Sequence, residues 1–69
     1  MEIKLKVGKK IKEIRERISM SQKDLAYSSN LDRSYIASVE NGHRNISIVN
    51  LEKISIALGV KLSELFIEI

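Results

Sequence analysis

The stretch from residue 21 to residue 42, SQKDLAYSSNLDRSYIASVENG, constrains the fold most, because it contains the start and stop signals of two short helices. Ser21 can accept a hydrogen bond from the backbone N–H of Asp24, whose carboxylate can reach back to the N–H of Ser21, an acidic variant of the capping box. Asn30 tolerates the left-handed backbone that ends a helix. These signals predict a helix from about Gln22 to about Ser29.

A second helix follows after a tight turn. Asp32 is a favoured N-cap residue, and Ile36 and Val39, three residues apart, share one face of the helix that it begins. Gly42 suits the left-handed position just past a helix end. The sequence therefore predicts a helix from about Arg33 to Asn41 that buries its Ile36 and Val39 face.

The opposite face of this helix is small, polar and almost free of acidic residues. It carries Arg33, Ser34, Ala37, Ser38 and Asn41. Such a ridge can enter the major groove of DNA, where arginine binds guanine O6 and N7 and serine pairs with either kind of base edge. A solvated helix face without a partner has the same pattern, so the pattern alone leaves both interpretations open.

A resemblance to a known family extends over most of the chain, roughly from residue 7 to residue 66. It is similar to the helix-turn-helix (XRE-type) family of phage repressors, Cro proteins and their bacterial relatives. The segment NLDRSYIASVENGHRNIS most resembles the controller proteins of restriction-modification systems, which are small dimeric regulators of their own operons. Two departures stand out: Asn30 replaces a frequent glycine, and the loop 42–47 lacks the proline common before helix four. The matching positions are Gln22, Leu25, Ala26, Leu31, Ile36, Val39, Glu40, Gly42, Leu51, Ile54, Ala57, Leu58, Gly59, Val60, Leu65 and Phe66.

The resemblance implies an all-α, five-helix, lambda-repressor-like DNA-binding domain with the helix-turn-helix in helices two and three. It also implies a homodimer that binds a pseudo-palindromic operator in double-stranded DNA and regulates its own operon. The outer face of helix three then supplies the base-reading residues Arg33, Ser34 and Ser38. Six residues are expected on the DNA backbone, two of them at helix N-termini that favour anions. They are Gln22, Tyr35, Asn41, His43, Arg44 and Asn45.

Helix one is predicted from about Val7 to Ile18. Val7, Ile11, Ile14 and Ile18 follow the spacing i, i+4, i+7, i+11 of an amphipathic helix. Arg15 lies near this apolar stripe, and in the family the matching arginine pairs with the residue that matches Glu40. The resemblance therefore implies a partly buried Arg15–Glu40 ion pair that orients helix three.

The two termini alternate apolar and other residues with a period of two, which favours short strands. Ile3, Leu5 and Val7 alternate with charged residues at one end, and Leu65, Ile67 and Ile69 alternate at the other. The ends can pair as a small ribbon within the chain or across a dimer, and disorder at both ends is the alternative.

Helix four is predicted from about Ile48 to Leu58, capped by Ser47 and ended by Gly59. Leu51, Ile54 and Leu58 form its inner face, and a short fifth helix is expected over Lys61 to Phe66. An opposite apolar face would remain in water in a monomer, so we expect a self-complementary dimer patch. Its residues are Val49, Ile56, Phe66, Ile67 and Ile69.

Size and composition narrow the functional classes. With 69 residues the chain fits one small domain, near the size at which folding without a partner is marginal. There is no cysteine and one histidine, so neither a disulfide framework nor a usual zinc site can form. No apolar run approaches a membrane span, and we expect an intracellular protein of the reducing cytoplasm. No cofactor or small-molecule ligand is expected.

The formal net charge is +3 and is unevenly distributed. Residues 1–33 hold nine basic against five acidic residues, a net charge of +4, and residues 34–69 have a net charge of −1. The basic half includes the start of the candidate reading helix. This asymmetry suits a surface that faces phosphate, although lysines on exposed helix faces produce it as well.

Three alternative functions remain open at this point. An enzyme is disfavoured because the sequence has no glycine-rich phosphate loop, metal-ligand spacing or nucleophile motif. A protein-interaction module that reuses the fold would have no salt-dependent affinity for DNA. An antitoxin that represses its own operon would be encoded beside a toxin gene, whereas a controller would be encoded beside a restriction enzyme or methyltransferase.

Overall fold

A computed structural model describes residues 2–66, which form four α-helices and one short 3₁₀ helix. The predicted bounds of the second and fourth helices are confirmed, and the third ends one residue earlier than predicted. In chain order the elements are α1 Ile3–Arg17, α2 Gln22–Ser29, α3 Arg33–Glu40, α4 Ile48–Leu58 and the 3₁₀ helix Leu62–Phe66.

Local capping sets the ends of α2 and α4 as predicted. The backbone N–H of Asp24 donates to Ser21 Oγ at 3.0 Å, and the N–H of Ser21 donates to Asp24 Oδ2 at 3.2 Å, which completes the capping box. The hydrogen bond from the Ser21 backbone lowers the pKa of the Asp24 carboxyl. Asn30 ends α2 with φ +58°, and Gly59 ends α4 with φ +74°. Ser47 Oγ accepts a backbone N–H of the first turn of α4 at 3.1 Å.

The start of α3 depends more on packing than on capping. Asp32 occupies the predicted N-cap position with an extended backbone, but its side chain accepts no hydrogen bond from the helix. Leu31, just before it, packs against the hydrophobic core. Ile36 and Val39 are buried as predicted. Because α3 has only eight residues, its helical conformation requires this tertiary packing.

The core lies between all five elements. α1 packs on α3 and the 3₁₀ helix, while α2 packs on both α3 and α4. Burial of these side chains is the main stabilising contribution in a domain this small. The buried hydrophobic residues are Val7, Ile11, Ile14, Leu25, Ala26, Ile36, Val39, Leu51, Ile54, Leu58 and Leu65.

The predicted N-terminal strand is wrong, because residues 3–7 form the first turns of α1. The Glu2 side chain accepts the backbone N–H of Lys4 at 2.6 Å and caps this helix. Leu5 lies against Gly42, where an added Cβ would be 2.9 Å from Leu5 Cγ. The described residues contain no strand, so terminal β-pairing is not supported. The other half of the predicted ribbon, Ile67 and Ile69, lies outside the described residues.

Two further predictions need correction. The expected fifth α-helix is a five-residue 3₁₀ helix, in which Leu65 is buried and Leu62 packs against the core. Ile18 does not extend the buried stripe of α1, because it is the C-cap residue and remains 46% exposed. The next residue, Ser19, has φ +58°, so the chain leaves the helical path there.

Candidate nucleic-acid interface

α3 presents one polar face to solvent and is held by its other face. Ile36 is fully buried and Val39 nearly so, which turns Arg33 and Ser34 outward as exposed side chains. Ser38 lies on the same face but is half-buried. Asn41, the C-cap residue, is exposed at the end of the helix. The predicted base-reading residues therefore share one surface of a helix whose position is fixed by the core.

A buried ion pair attaches the end of α3 to α1. Arg15 Nε donates to Glu40 Oε2 at 2.6 Å, and Arg15 Nη2 donates to Glu40 Oε1 at 3.0 Å, so the pair is bidentate. Arg15 Nη1 donates to the carbonyl oxygen of Met20 at 2.8 Å. Each of the two paired residues is 7% exposed. The hydrogen bond to Glu40 raises the pKa of the Arg15 guanidinium above its ordinary value. The ion pair implied by the resemblance is present and more deeply buried than expected.

Gln22 belongs to the same network. Its Nε2 donates to Glu40 Oε1 at 3.0 Å, and the residue is half-buried at the first position of α2. The predicted contact of Gln22 with a phosphate must therefore use the second amide N–H or the helix N-terminus. The sequence alone missed this internal role, because the two residues are 18 positions apart.

Tyr35 and the loop after α3 form a second cluster. The Tyr35 hydroxyl accepts a hydrogen bond from Asn50 Nδ2 at 3.0 Å, and Arg44 Cζ lies 5.0 Å from the centroid of the Tyr35 ring. This distance is within the range of a cation–π interaction. Tyr35 and Asn50 are half-buried, whereas Arg44 is exposed. Sequence reasoning did not identify Asn50, which carries no local signal for this contact.

The turn that follows α3 has a defined backbone. Gly42 has φ +77°, and its N–H donates to the carbonyl oxygen of Val39 at 3.0 Å. The next N–H, of His43, donates to the carbonyl oxygen of Ser38 at 2.9 Å. These bonds satisfy the last carbonyl groups of α3. His43, Arg44 and Asn45 are exposed just beyond, on the segment where backbone contacts were predicted.

The residues of α4 predicted to form a dimer face are exposed apolar side chains. Ile56 is 71% exposed and Val49 59% exposed, and neighbouring Ile48 is exposed as well. Phe66 is 40% exposed at the end of the 3₁₀ helix. Ile67 and Ile69 lie outside the described residues. An apolar helix face of this kind is unusual on a small monomer.

Other kinds of site find no support within residues 2–66. That range contains no group of three or more His, Cys, Asp or Glu residues placed to hold a metal ion. It also contains no helix that is long and apolar enough to cross a membrane.

The fold and this surface define a class, the helix-turn-helix domains, in which the second helix of the motif reads DNA. The helix-turn-helix family model matches residues 11–65, and the chain belongs to this family. Members of the family are DNA-binding transcriptional regulators, and the chain is such a regulator and not an enzyme.

Several individual proteins are similar to this chain over most of its length. The control protein C.MunI from Mycoplasma sp is 52% identical over 69 residues, which is 99% of this chain and 93% of the relative. The restriction-modification controller protein C.AhdI from Aeromonas hydrophila has a TM-score of 0.90 and 44% identity, over 91% of this chain and 96% of that one. The controller protein C.Esp1396I, solved as a tetramer in complex with its natural 35 base-pair operator, has a TM-score of 0.88 and 44% identity, over 96% of this chain and 87% of that one.

Proposed function

We propose that the protein binds a pseudo-palindromic operator as a homodimer and regulates the operon that encodes it, as a controller of a restriction-modification system. The observation that carries the proposal is the exposed Arg33 and Ser34 face of α3, held in place by the Arg15–Glu40 ion pair. The similarity to C.MunI, C.AhdI and C.Esp1396I supports the controller type over an antitoxin. An operator in the cell's own DNA also implies a cytoplasmic protein.

In this proposal the outer face of α3 reads base edges in the major groove. Arg33, at the first position of α3, has a planar guanidinium that can donate two parallel hydrogen bonds to guanine O6 and N7. Ser34 and Ser38 are short, so they allow close approach of the helix and can donate to or accept from either kind of base. Ser38 is half-buried, so it is less accessible than Arg33 and Ser34.

The flanking residues hold the protein on the phosphate backbone. Arg44, His43, Asn45 and Asn41 are exposed around the turn after α3 and can donate to phosphate oxygens. Tyr35 uses a lone pair to accept from Asn50, which leaves its hydroxyl hydrogen available to a phosphate. Gln22 contributes at the N-terminus of α2, where backbone N–H groups favour an anion. These contacts fix the register of α3 without selecting a base.

The roles of base-reading and backbone residues are tested by measuring the affinities of Arg33→Ala and Arg44→Ala for operator and scrambled duplexes at several salt concentrations. Arg33→Ala should cost about 1–3 kcal/mol on the operator, little on the scrambled duplex, and relax specificity at one base pair in each half-site. Arg44→Ala should weaken both duplexes alike and lower the salt slope by about one unit per site. Arg17→Ala is the control, because it removes the same charge from an exposed residue that lines a groove with Val60 and Glu64 and belongs neither to α3 nor to the loop after it.

Equal loss on both duplexes in Arg33→Ala would identify Arg33 as a phosphate contact and remove the main support for α3 as the reading surface. Failure of the wild-type protein to protect any sequence in its own upstream region would contradict autoregulation.

The homodimer is tested separately by charge on the apolar face of α4. Two reading helices related by a two-fold axis should lie about 34 Å apart, one turn of DNA. Sedimentation of the wild-type protein at micromolar concentration should show a dimer, and Ile56→Asp should show a folded monomer. Tyr27→Asp is the matched control, because Tyr27 is 89% exposed on α2 and outside the proposed face. A wild-type monomer that binds a single half-site would contradict the dimer.

A further inference from the structure

Asn50 lies where α4 meets the cluster around Tyr35. It is in the first turn of α4, where its backbone N–H donates to Ser47 Oγ at 3.1 Å. Its side chain extends to α3, and Nδ2 donates to the Tyr35 hydroxyl at 3.0 Å. The N-terminal cap of α4 therefore fixes the backbone from which Asn50 holds Tyr35.

Tyr35 in turn contacts Arg44. The guanidinium carbon of Arg44, an exposed residue of the loop after α3, lies 5.0 Å from the centroid of the Tyr35 ring. A ring held at its hydroxyl by Asn50 offers Arg44 a face of fixed orientation. Three side chains from α4, α3 and the loop are thus connected in the order Asn50, Tyr35, Arg44.

The direction of the hydrogen bond decides what the Tyr35 hydroxyl can do. A phenol has one hydrogen to donate and lone pairs to accept with. Because the Asn50 amide donates, it uses a lone pair of the hydroxyl and leaves the hydrogen directed elsewhere. Tyr35 is thereby kept as a donor, which is the form that a phosphate oxygen requires.

We propose that Asn50 is a positioning residue for DNA binding, which holds Tyr35 as a hydrogen-bond donor and, through the Tyr35 ring, holds Arg44 in place for the DNA backbone. This inference rests on the proposed function and deepens it, because it assigns α4 a part in DNA affinity that needs no contact between Asn50 and DNA. Asn50 is itself half-buried with its amide already bonded to Tyr35.

A double-mutant cycle tests the proposal. Asn50→Ala, Tyr35→Phe and the double variant are titrated against operator and scrambled duplexes over a range of salt concentrations. Asn50→Ala should weaken both duplexes by about threefold to tenfold, the equivalent of one hydrogen bond, and lower the salt slope. In the Tyr35→Phe background the same change should alter affinity by less than about twofold, because the hydroxyl through which Asn50 acts is absent.

A second variant tests the direction of the bond. Asn50→Asp keeps the shape of the side chain but can only accept, so the Tyr35 hydroxyl would donate to it and no longer to phosphate. Asn50→Asp should therefore weaken DNA binding more in the wild-type background than in Tyr35→Phe, where only the added charge acts. Thermal unfolding of each variant checks the fold, and alanine, a strong helix former, is well tolerated in a first turn.

The outcomes separate this inference from the proposed function. Additive effects of Asn50→Ala and Tyr35→Phe, or an unchanged affinity in Asn50→Ala, would overturn the role of Asn50 while leaving the protein a DNA-binding regulator. A wild-type protein that binds neither duplex would overturn both. A protein that binds both duplexes equally would overturn sequence-specific regulation, and the cycle on either duplex would still decide the role of Asn50.

Discussion

Glu40→Ala is the sharpest test of how α3 is held, because it removes one partner of a buried ion pair. The change takes from Arg15 both hydrogen bonds to the carboxylate and leaves the bond to the Met20 carbonyl oxygen. It also removes the acceptor of Gln22. The Arg15 side chain, which is 9% exposed, is then left without its counter-ion, which is the costly case for buried charges.

The expected cost is about 3 kcal/mol, the lower part of the range for breaking a buried pair, because a long arginine can move its head toward water. A domain of 69 residues has a free energy of unfolding of only about 3–10 kcal/mol. With a shift of about 4–8 °C per kcal/mol in a domain of this size, the melting temperature should fall by about 12–24 °C. A loss of about 3 kcal/mol is between about a third and all of the free energy of unfolding of such a domain.

Thermal unfolding at one fixed protein concentration measures this, since dimerisation would make the melting temperature depend on concentration. Glu13→Ala is the control, because it removes the same charge from an exposed position and should change stability by less than about 0.5 kcal/mol. Arg15→Met combined with Glu40→Leu removes both charges and should restore much of the stability. A melting temperature unchanged in Glu40→Ala would refute the structural role, and loss of DNA binding at unchanged stability would make Glu40 a DNA-contact residue.

Three further predictions concern stability. Gly8→Ala should destabilise by about 1–3 kcal/mol, although alanine normally favours a helix, because its Cβ would collide with the Val39 carbonyl oxygen; increased stability in chemical denaturation would contradict this. Ser47→Ala should cost about 1 kcal/mol in denaturant and Asp32→Ala much less, since only Ser47 makes a side-chain cap; equal losses would count against the difference. Because the pKa of the Asp24 carboxyl is lowered, its ionised side chain stabilises the fold at neutral pH, and this stabilisation is lost as pH falls below about 4. Asp24→Asn should flatten the dependence of the free energy of unfolding on pH in that range.

Helix boundaries were the most predictable part of the fold, because local hydrogen bonds determine them. The capping box at Ser21 and the left-handed residues Asn30 and Gly59 act within one turn of their own position. Ser47 likewise caps the helix that it precedes. Such signals are visible in a sequence, and the bounds of α2 and α4 follow from them.

The N-terminus was mispredicted because seven residues are too few to distinguish a period of 2 from a period of 3.6. Ile3, Leu5 and Val7 alternate with charged residues, yet only Val7 is buried. Two contacts favour a helix here. Glu2 caps its N-terminus, and Leu5 packs on Gly42, which is 37 positions away in the sequence. No local pattern encodes that contact.

Site residues were predictable from the sequence where their role depends only on exposure, and were not predictable where it depends on a contact with a residue distant in the sequence. The exposed face of α3 follows from the burial of Ile36 and Val39 alone. The Arg15–Glu40 pair was reached through the resemblance, since 25 positions separate its members. Asn50 was missed, because its partner lies on another helix.

The support of α3 from two sides has a consequence for how such a protein can change its operator. Tyr35, near the start of α3, is bonded to α4, and Glu40, at its end, is bonded to α1, so the orientation of the helix does not depend on the exposed side chains at its N-terminal end. Arg33 and Ser34 are exposed and make no contact on which the core depends, so substitution there should alter base preference at little cost in stability. Ser38 is half-buried, so a larger side chain there would have to displace its neighbours. Specificity is therefore expected to be adjusted at the N-terminal end of α3, with the rest of the helix fixed by its supports.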